Sequence, residues 1–210
     1  ILVVAGDVEL DQVKYLSEKW FGSIERRKYH VRNIPTEPMQ TKARILKVER
    51  DVPVDVIYKA FHMCARTHED FFATDLISDI LSRGHSSRLN HSLVKEQKLF
   101  TNIDAFVGSS IDNGLFYFAG KLAPNITMQE AERGIDAEIN KLQANLVSDN
   151  ELRKVKNKVI SAHMISELNV LNKAMNLATS ELIGAANLVN KQIDLYEAVT
   201  SDKIMTIAQD

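Results

Sequence analysis

Asp112-Asn113-Gly114 lies between two apolar runs, 99–107 and 115–122, and no other feature restricts the fold as much. Two such runs joined by an Asn-Gly turn close as an antiparallel hairpin, because those residues accept the backbone angles of a tight turn. Pro124 and Asn125 end the pair. Thr127 with Glu130 then reads as a capping box that opens a helix to about Ala144. Ser148 with Glu151 reads as another, opening a long helix through roughly Ile183, with Gly184 interrupting or ending it. Ser201 is placed to cap one last short helix.

Upstream, residues 1–5 are an apolar run ending at Gly6, a plausible buried strand. Asp7 can cap a following helix in which Val13, Leu16 and Trp20-Phe21 recur at helical spacing, closed by Gly22. Residues 23–42 are basic and polar and carry Pro35 and Pro38, so they read as an extended connector. Runs 44–49 and 54–64 read as strands separated by Pro53; the second is apolar on both faces and is expected to be central and covered. Thr67 starts a helix with the stripe Phe72, Leu76, Ile77, Ile80 and Leu81, ended by Gly84. A short helix follows from about Ser87 to Gln97. This order predicts an α+β fold: a mixed or antiparallel sheet of about five or six strands, with helices packed mainly on one face. We expect a single domain over 1–210, with the connector at about 23–42 and a C-terminal helical part at about 127–210.

Composition narrows the functional classes. With 28 acidic and 26 basic residues the formal net charge is -2, which argues against an electrostatic grip on nucleic acid or an anionic membrane. No apolar run approaches the roughly 18 residues that span a bilayer. Cys64 is the one cysteine, so no intramolecular disulfide forms; this fits a reducing compartment such as the cytoplasm without excluding a periplasm, and leaves the compartment open. The chain opens on Ile1-Leu2-Val3-Val4-Ala5-Gly6 without an initiator Met and stops at Asp210 after a helical pattern. We therefore expect a segment of a longer protein, with any signal peptide outside it.

Four stretches carry a family resemblance. Val3-Val4-Ala5-Gly6-Asp7 followed by Trp20-Phe21-Gly22 resembles a "VGD" strand and a helix ending in "F/YFG". Leu81-Ser82-Arg83-Gly84-His85-Ser86-Ser87-Arg88-Leu89 is similar to a "GGG-x-SSRL" turn between two helices. Lys95-Glu96-Gln97, strand 100–107, the Asp112-Asn113-Gly114 turn and strand 115–120 resemble a "REKEGLAY…D-x-G-x-F" segment, and Ala198–Ile204 resembles a "VTAEDI" helix start. In this order they resemble the insulinase, pitrilysin and mitochondrial-processing-peptidase family over essentially the whole chain. The resemblance implies a metallopeptidase-half fold and an enzyme of two similar halves closing over a peptide. In that family one half binds zinc through H-x-x-E-H, and the other, metal-free half completes the chamber, often with an Arg and a Tyr seven residues apart.

This chain has neither set. Its six histidines, His30, His62, His68, His85, His91 and His163, form no H-x-x-E-H or H-E-x-x-H. Aligned on Lys95-Glu96, the family's Arg falls on Leu93 and its Tyr on Phe100, and neither can donate to a developing oxyanion. The resemblance thus implies a C-terminal-type, non-catalytic half with no catalytic residue and no metal of its own, zinc being expected in a partner half. Candidate substrate contacts are Ser86, Ser87, Arg88, Leu93 and Phe100.

Other residues invite chemical readings. His62, Cys64 and His68 could form a metal or thiol site; set against this is a buried thiol, a partly exposed histidine and a first-turn helix residue. His85 and His91 lie about 600° apart around a helix and do not share a face. The Ser86-Ser87-Arg88 turn could line a chamber, or could serve only capping and packing, with Arg88 paired to an acid. Asn125-Ile126-Thr127 fits a glycosylation sequon, but its place before a helix explains it as a cap.

The expected function is one wall of a peptide-degrading chamber that orients an unfolded peptide, held by strand addition. The zinc half would lie upstream in the same chain or in a separate subunit, and an excised segment could self-associate through its apolar chamber face. The alternative is a scaffold or assembly protein of the same fold, as in core subunits of a respiratory complex.

Overall fold

The protein's structure, a computed structural model, describes residues 1–27, 35, 38, 40–109 and 111–210. It divides into two compact units: Val4–Val52, and Ile1–Val3 together with Pro53–Asp210. Much of the expected connector at 23–42 lies outside the described residues.

The smaller unit contains helix α1, Leu10–Phe21. Its N-cap position is Glu9, so the helix starts later than Asp7 would set it, and Gly22 closes it by donating its N–H to Glu18 O at 2.8 Å. No residue of α1 is buried.

The larger unit holds the sheet and the remaining helices. Strands β1 (Val56–Ala65), β2 (Phe100–Gly108) and β3 (Asn113–Leu122) form an antiparallel sheet in the order β1-β3-β2. The expected hairpin is β2–β3, in one register from Gly108 opposite Leu115 to Asn102 opposite Lys121, with a shift before Phe100. Asn113 and Gly114, expected in its turn, are instead the first residues of β3 and lie opposite Ala65 and Met63 of β1. Among the described residues the sheet has three strands, not five or six. Runs 1–5 and 44–49 pair with no strand among the described residues, and Ile45 is 91% and Leu46 85% exposed. An apolar run proposes a strand, but only a neighbouring backbone that takes up its N–H and C=O groups makes one. The 54–64 run, expected at the centre, is the edge strand β1, with Tyr58 73% exposed.

One sheet face is covered. On β3 the alternate residues Gly114, Phe116, Phe118, Gly120 and Leu122 are buried. Helix α2, Phe71–Ser82, supplies Phe71, Leu76 and Ile80 to the core that these residues share with Phe100 and Ile103. Each such side chain contributes about 1.5–3 kcal/mol when fully buried. The opposite face carries Tyr58, Phe106 and Tyr117, with the last two stacked at 5.2 Å and 22°.

Helix α3, Met128–Ala144, begins with the expected capping box: Glu130 N–H donates to Thr127 Oγ1 at 3.3 Å, and Thr127 N–H to Glu130 Oε2 at 2.8 Å. Hydrogen bonds from Thr127's hydroxyl and then its backbone N–H hold the Glu130 carboxyl below the usual range. The long helix expected over 148–183 is two helices, α4 (Asp149–Ser166) and α5 (Val170–Ile183). Asn169 makes the break, because its Oδ1 accepts from Leu171 and Asn172 N–H and starts a new helix there. Gly184, at φ 146°, ends α5. Helix α6, Leu188–Glu197, was not visible as a separate element in the sequence pattern. Helix α7, Ser201–Gln209, is capped by Thr200, one residue before Ser201, through Thr200 Oγ1 accepting from Lys203 N–H. No helix of the described residues is long and apolar enough to cross a membrane.

Candidate functional site

Helix α2 ends because the chain turns at Gly84, whose φ of 100° favours glycine. Ser87 closes the turn twice: its N–H donates to Gly84 O at 3.0 Å and its hydroxyl to the same oxygen at 2.7 Å. Ser87 is buried and committed to the turn, whereas Ser86 is exposed. The following helix is wound wide: Asn90–Glu96 is π-helical, and Gln97 N–H reaches back five residues to Ser92 O at 2.9 Å. A π-turn of this length is rare and often marks a functional segment.

Arg88 is clamped. Its Nε donates to Glu151 Oε1 at 3.0 Å and its Nη2 to Oε2 at 2.8 Å, a two-pronged tie from the turn to the first turn of α4. Hydrogen bonding to Glu151 raises the guanidinium pKa further. Glu151 therefore does not complete the expected capping box, and Ser148 caps α4 only through its hydroxyl, which accepts from Glu151 N–H at 3.3 Å.

Leu93 and Phe100 point into the core, at 0% and 2% exposure. Two glycines leave room for them. A Cβ on Gly134 would meet Leu93 Cδ2 at 3.2 Å, and one on Gly120 would meet Phe100 Cε1 at 2.6 Å. Placed among substrate contacts by sequence, both are core anchors here and offer no surface to a peptide. The structure holds Ser86, Ser87 and Arg88 in one turn and places Leu93 and Phe100 in the core, against Gly134 and Gly120.

Three lysines absent from the sequence-based candidates converge on the same turn. Lys95 Nζ donates to His85 O at 2.8 Å, Lys154 Nζ to Ser86 Oγ at 3.1 Å and Lys158 Nζ to Arg83 O at 3.4 Å. Their signal was Arg153-Lys154-Val155-Lys156-Asn157-Lys158, four bases in six residues without an acid. Beside the turn, an open cleft of about 620 Å³ runs between α2 and β2, lined by Asp75, Asp79, Ser82, Asp104 and Phe106 among others. Burial raises the Asp79 carboxyl pKa, and Arg83 pairs with it at 3.1 Å. Tyr196 donates its hydroxyl to Asp75 Oδ2 at 2.6 Å. Burial first, then the Asp75 charge, keeps that hydroxyl protonated well above the ordinary tyrosine range.

The remaining chemical candidates do not assemble. Cys64 Sγ lies 4.0 Å from Thr74 Oγ1, burial raises its thiol pKa, and His68 accepts from the Asp70 N–H at 3.2 Å. His91 sits 3.5 Å from Glu96. Among the described residues no group of three or more His, Cys, Asp or Glu is placed to hold a metal, so the residues present do not fit a zinc site. Thr127 of the sequon is the α3 cap.

The sequence pattern of the family described as "Peptidase M16 inactive domain" matches residues 1–159. The zinc protease PqqE of Helicobacter pylori is 30% identical over 161 residues, covering 74% of this chain and 36% of that protein. The crystal structure of a protease from Helicobacter pylori superposes with a TM-score of 0.90 at 23% identity, over 97% of this chain and 50% of that one. An inactive peptidase domain from Bordetella parapertussis superposes at 0.67 with 25% identity, over 73% of this chain and 82% of that one. The chain thus spans about a third of the curated relative and half of the first of these structures.

Proposed function

The chain belongs to the peptidase M16 inactive-domain family, and from that premise we propose that it forms one wall of the peptide-binding chamber of a zinc metallopeptidase. Chemistry comes from a zinc-bearing half, upstream in the same protein or in a separate subunit, and this wall orients an unfolded peptide.

One observation carries the reading: the sheet face opposite the helix layer is left with aromatic side chains at its surface, Tyr58 at 73% and Phe106 at 43% exposure. A layered α+β domain hides the helix-facing side of its sheet, so an uncovered aromatic side is available to a ligand or a second half. Among the described residues β1 keeps one edge with no strand beside it, so backbone pairing there can hold a peptide without demanding a sequence. The buried Leu93 and Phe100 supply no donor to a reacting carbonyl, which fits grip without chemistry.

The test is hydrolysis of a long unstructured peptide by the full-length protein that contains this chain. Activity abolished by a chelator and restored by zinc, with none from this chain alone, supports the reading. An intact protein with neither zinc nor activity would sink it in favour of a scaffold role.

A further inference from the structure

We propose that the Arg83–Ser87 turn is a docking point for carboxylate side chains of an unfolded peptide, gripped by Lys95, Lys154 and Lys158. This rests on the chamber-wall reading and names a substrate preference for it, since Arg83 and Gly84 of the turn line one cleft with Phe106 of the uncovered sheet face.

The three ammonium groups come from the π-helix and from α4, yet all reach one turn, where their partners are neutral: two backbone carbonyls and a serine hydroxyl. Among the described residues none of the three makes an ion pair. The nearby acids are engaged elsewhere: Asp79 with Arg83, Glu151 with Arg88 and Glu96 beside His91. Lys154 and Lys158 are also four apart on α4, a like-charge spacing that disfavours a helix. A chain with net charge -2 thus gathers three lysine ammonium groups at one turn, without an ion pair to any of them among the described residues.

Packing explains only part of this. Lys158, at the C-terminal end of α2, complements the partial negative charge of that helix end. Lys95 and Lys154 bind turn atoms beyond the helix, so the same explanation does not cover them.

The turn is built to receive a ligand without reordering. The Arg88–Glu151 clamp and the Ser87 hydrogen bonds fix its backbone, so little conformational freedom remains to be lost on binding. Above it the space is open: a Cβ on Gly84 would find only Lys158 Nζ within 4 Å, at 3.5 Å. Ser86 is exposed and adds a hydroxyl donor. Lysines act as point charges and do not demand a planar, two-pronged anion, which suits scattered Asp and Glu side chains of an unfolded peptide. The grip is electrostatic and should weaken with salt.

The test is fluorescence anisotropy with the full-length protein and two long unstructured peptides, one rich in Asp and Glu and the other with Asn and Gln in their places. The wild type is expected to bind the acidic peptide about tenfold more tightly at low salt. K95Q/K154Q/K158Q, whose three positions are exposed, should reduce that preference to about twofold or less while leaving affinity for the neutral peptide unchanged. A preference that survives the triple substitution overturns the inference. So does equal binding of both peptides by the wild type, which leaves the chamber wall intact. Failure of the wild type to bind either peptide overturns the chamber wall itself. Inorganic phosphate is the competitor: displacement of the acidic peptide at low millimolar concentration, without a matching effect from chloride at equal ionic strength, would reassign the lysines to free phosphate.

Discussion

Helices α1 and α2 are both 12 residues long and both carry an apolar stripe, yet α1 has no buried residue and α2 has ten. In α1 Leu10, Tyr15, Trp20 and Phe21 remain exposed, whereas in α2 Phe71, Leu76, Ile80 and Leu81 are at or near zero exposure. Periodicity alone forms the helix; what it packs against decides whether its apolar residues stabilise anything. The two helices therefore respond differently to the same kind of damage.

The largest effect is expected in α2. Phe71→Ala should cost about 3–5 kcal/mol and Leu76→Ala about 2–5, read from urea unfolding of the chain, because each leaves a cavity in a packed core. A loss near zero at either position would erase the contrast with α1. Just beyond the end of α2, Arg88→Ala should cost about 1–3 kcal/mol, since it strands Glu151 without its two-pronged partner. Glu151→Gln should cost less than Arg88→Ala, because Gln keeps one acceptor for the guanidinium.

Smaller changes sharpen the contrast between local and tertiary terms. Thr127→Ala should cost about 1 kcal/mol through loss of a complete capping box, and Ser148→Ala less, since its box is half made. Tyr196→Phe tests a tertiary contact to α2 by its pH dependence. The folded-state pKa of Tyr196 is raised, so above the ordinary tyrosine range the unfolded chain loses a proton that the folded chain keeps, and stability falls as pH rises. The Phe variant should lose that alkaline slope in denaturation profiles. The smallest effect belongs to α1: Leu16→Ala should lie within about 0.5 kcal/mol of the parent in the same urea assay. A cost matching that of Leu76→Ala would show that α1 is packed after all.

The turn at Gly84 and a short helix after it were legible from local residue types. For Arg88 the sequence left two roles open, lining a chamber or pairing with an acid, and the structure pairs it with Glu151. Hidden were the π-winding, the identity of the acid and the inward aim of Leu93 and Phe100; the last two depend on residues distant in sequence, Glu151 for the acid and Gly134 and Gly120 for the aim. The three lysines were hidden for the same reason: Lys95 and Lys154 are neighbours only after α4 folds over the turn.

By itself the sequence determined that the runs 99–107 and 115–122 pair as a hairpin, the cap at Thr127, the α2 stripe and the absence of H-x-x-E-H, since apolar runs, short-range hydrogen bonds and motif spacing are properties of neighbouring residues. Tertiary structure alone decided that β1 is an edge strand, that 44–49 pairs with nothing among the described residues, and that Glu151 turns away from its own helix cap to hold Arg88. In each case two partners compete for one backbone or one carboxylate, and the winner is set by which of them the fold brings within hydrogen-bonding reach.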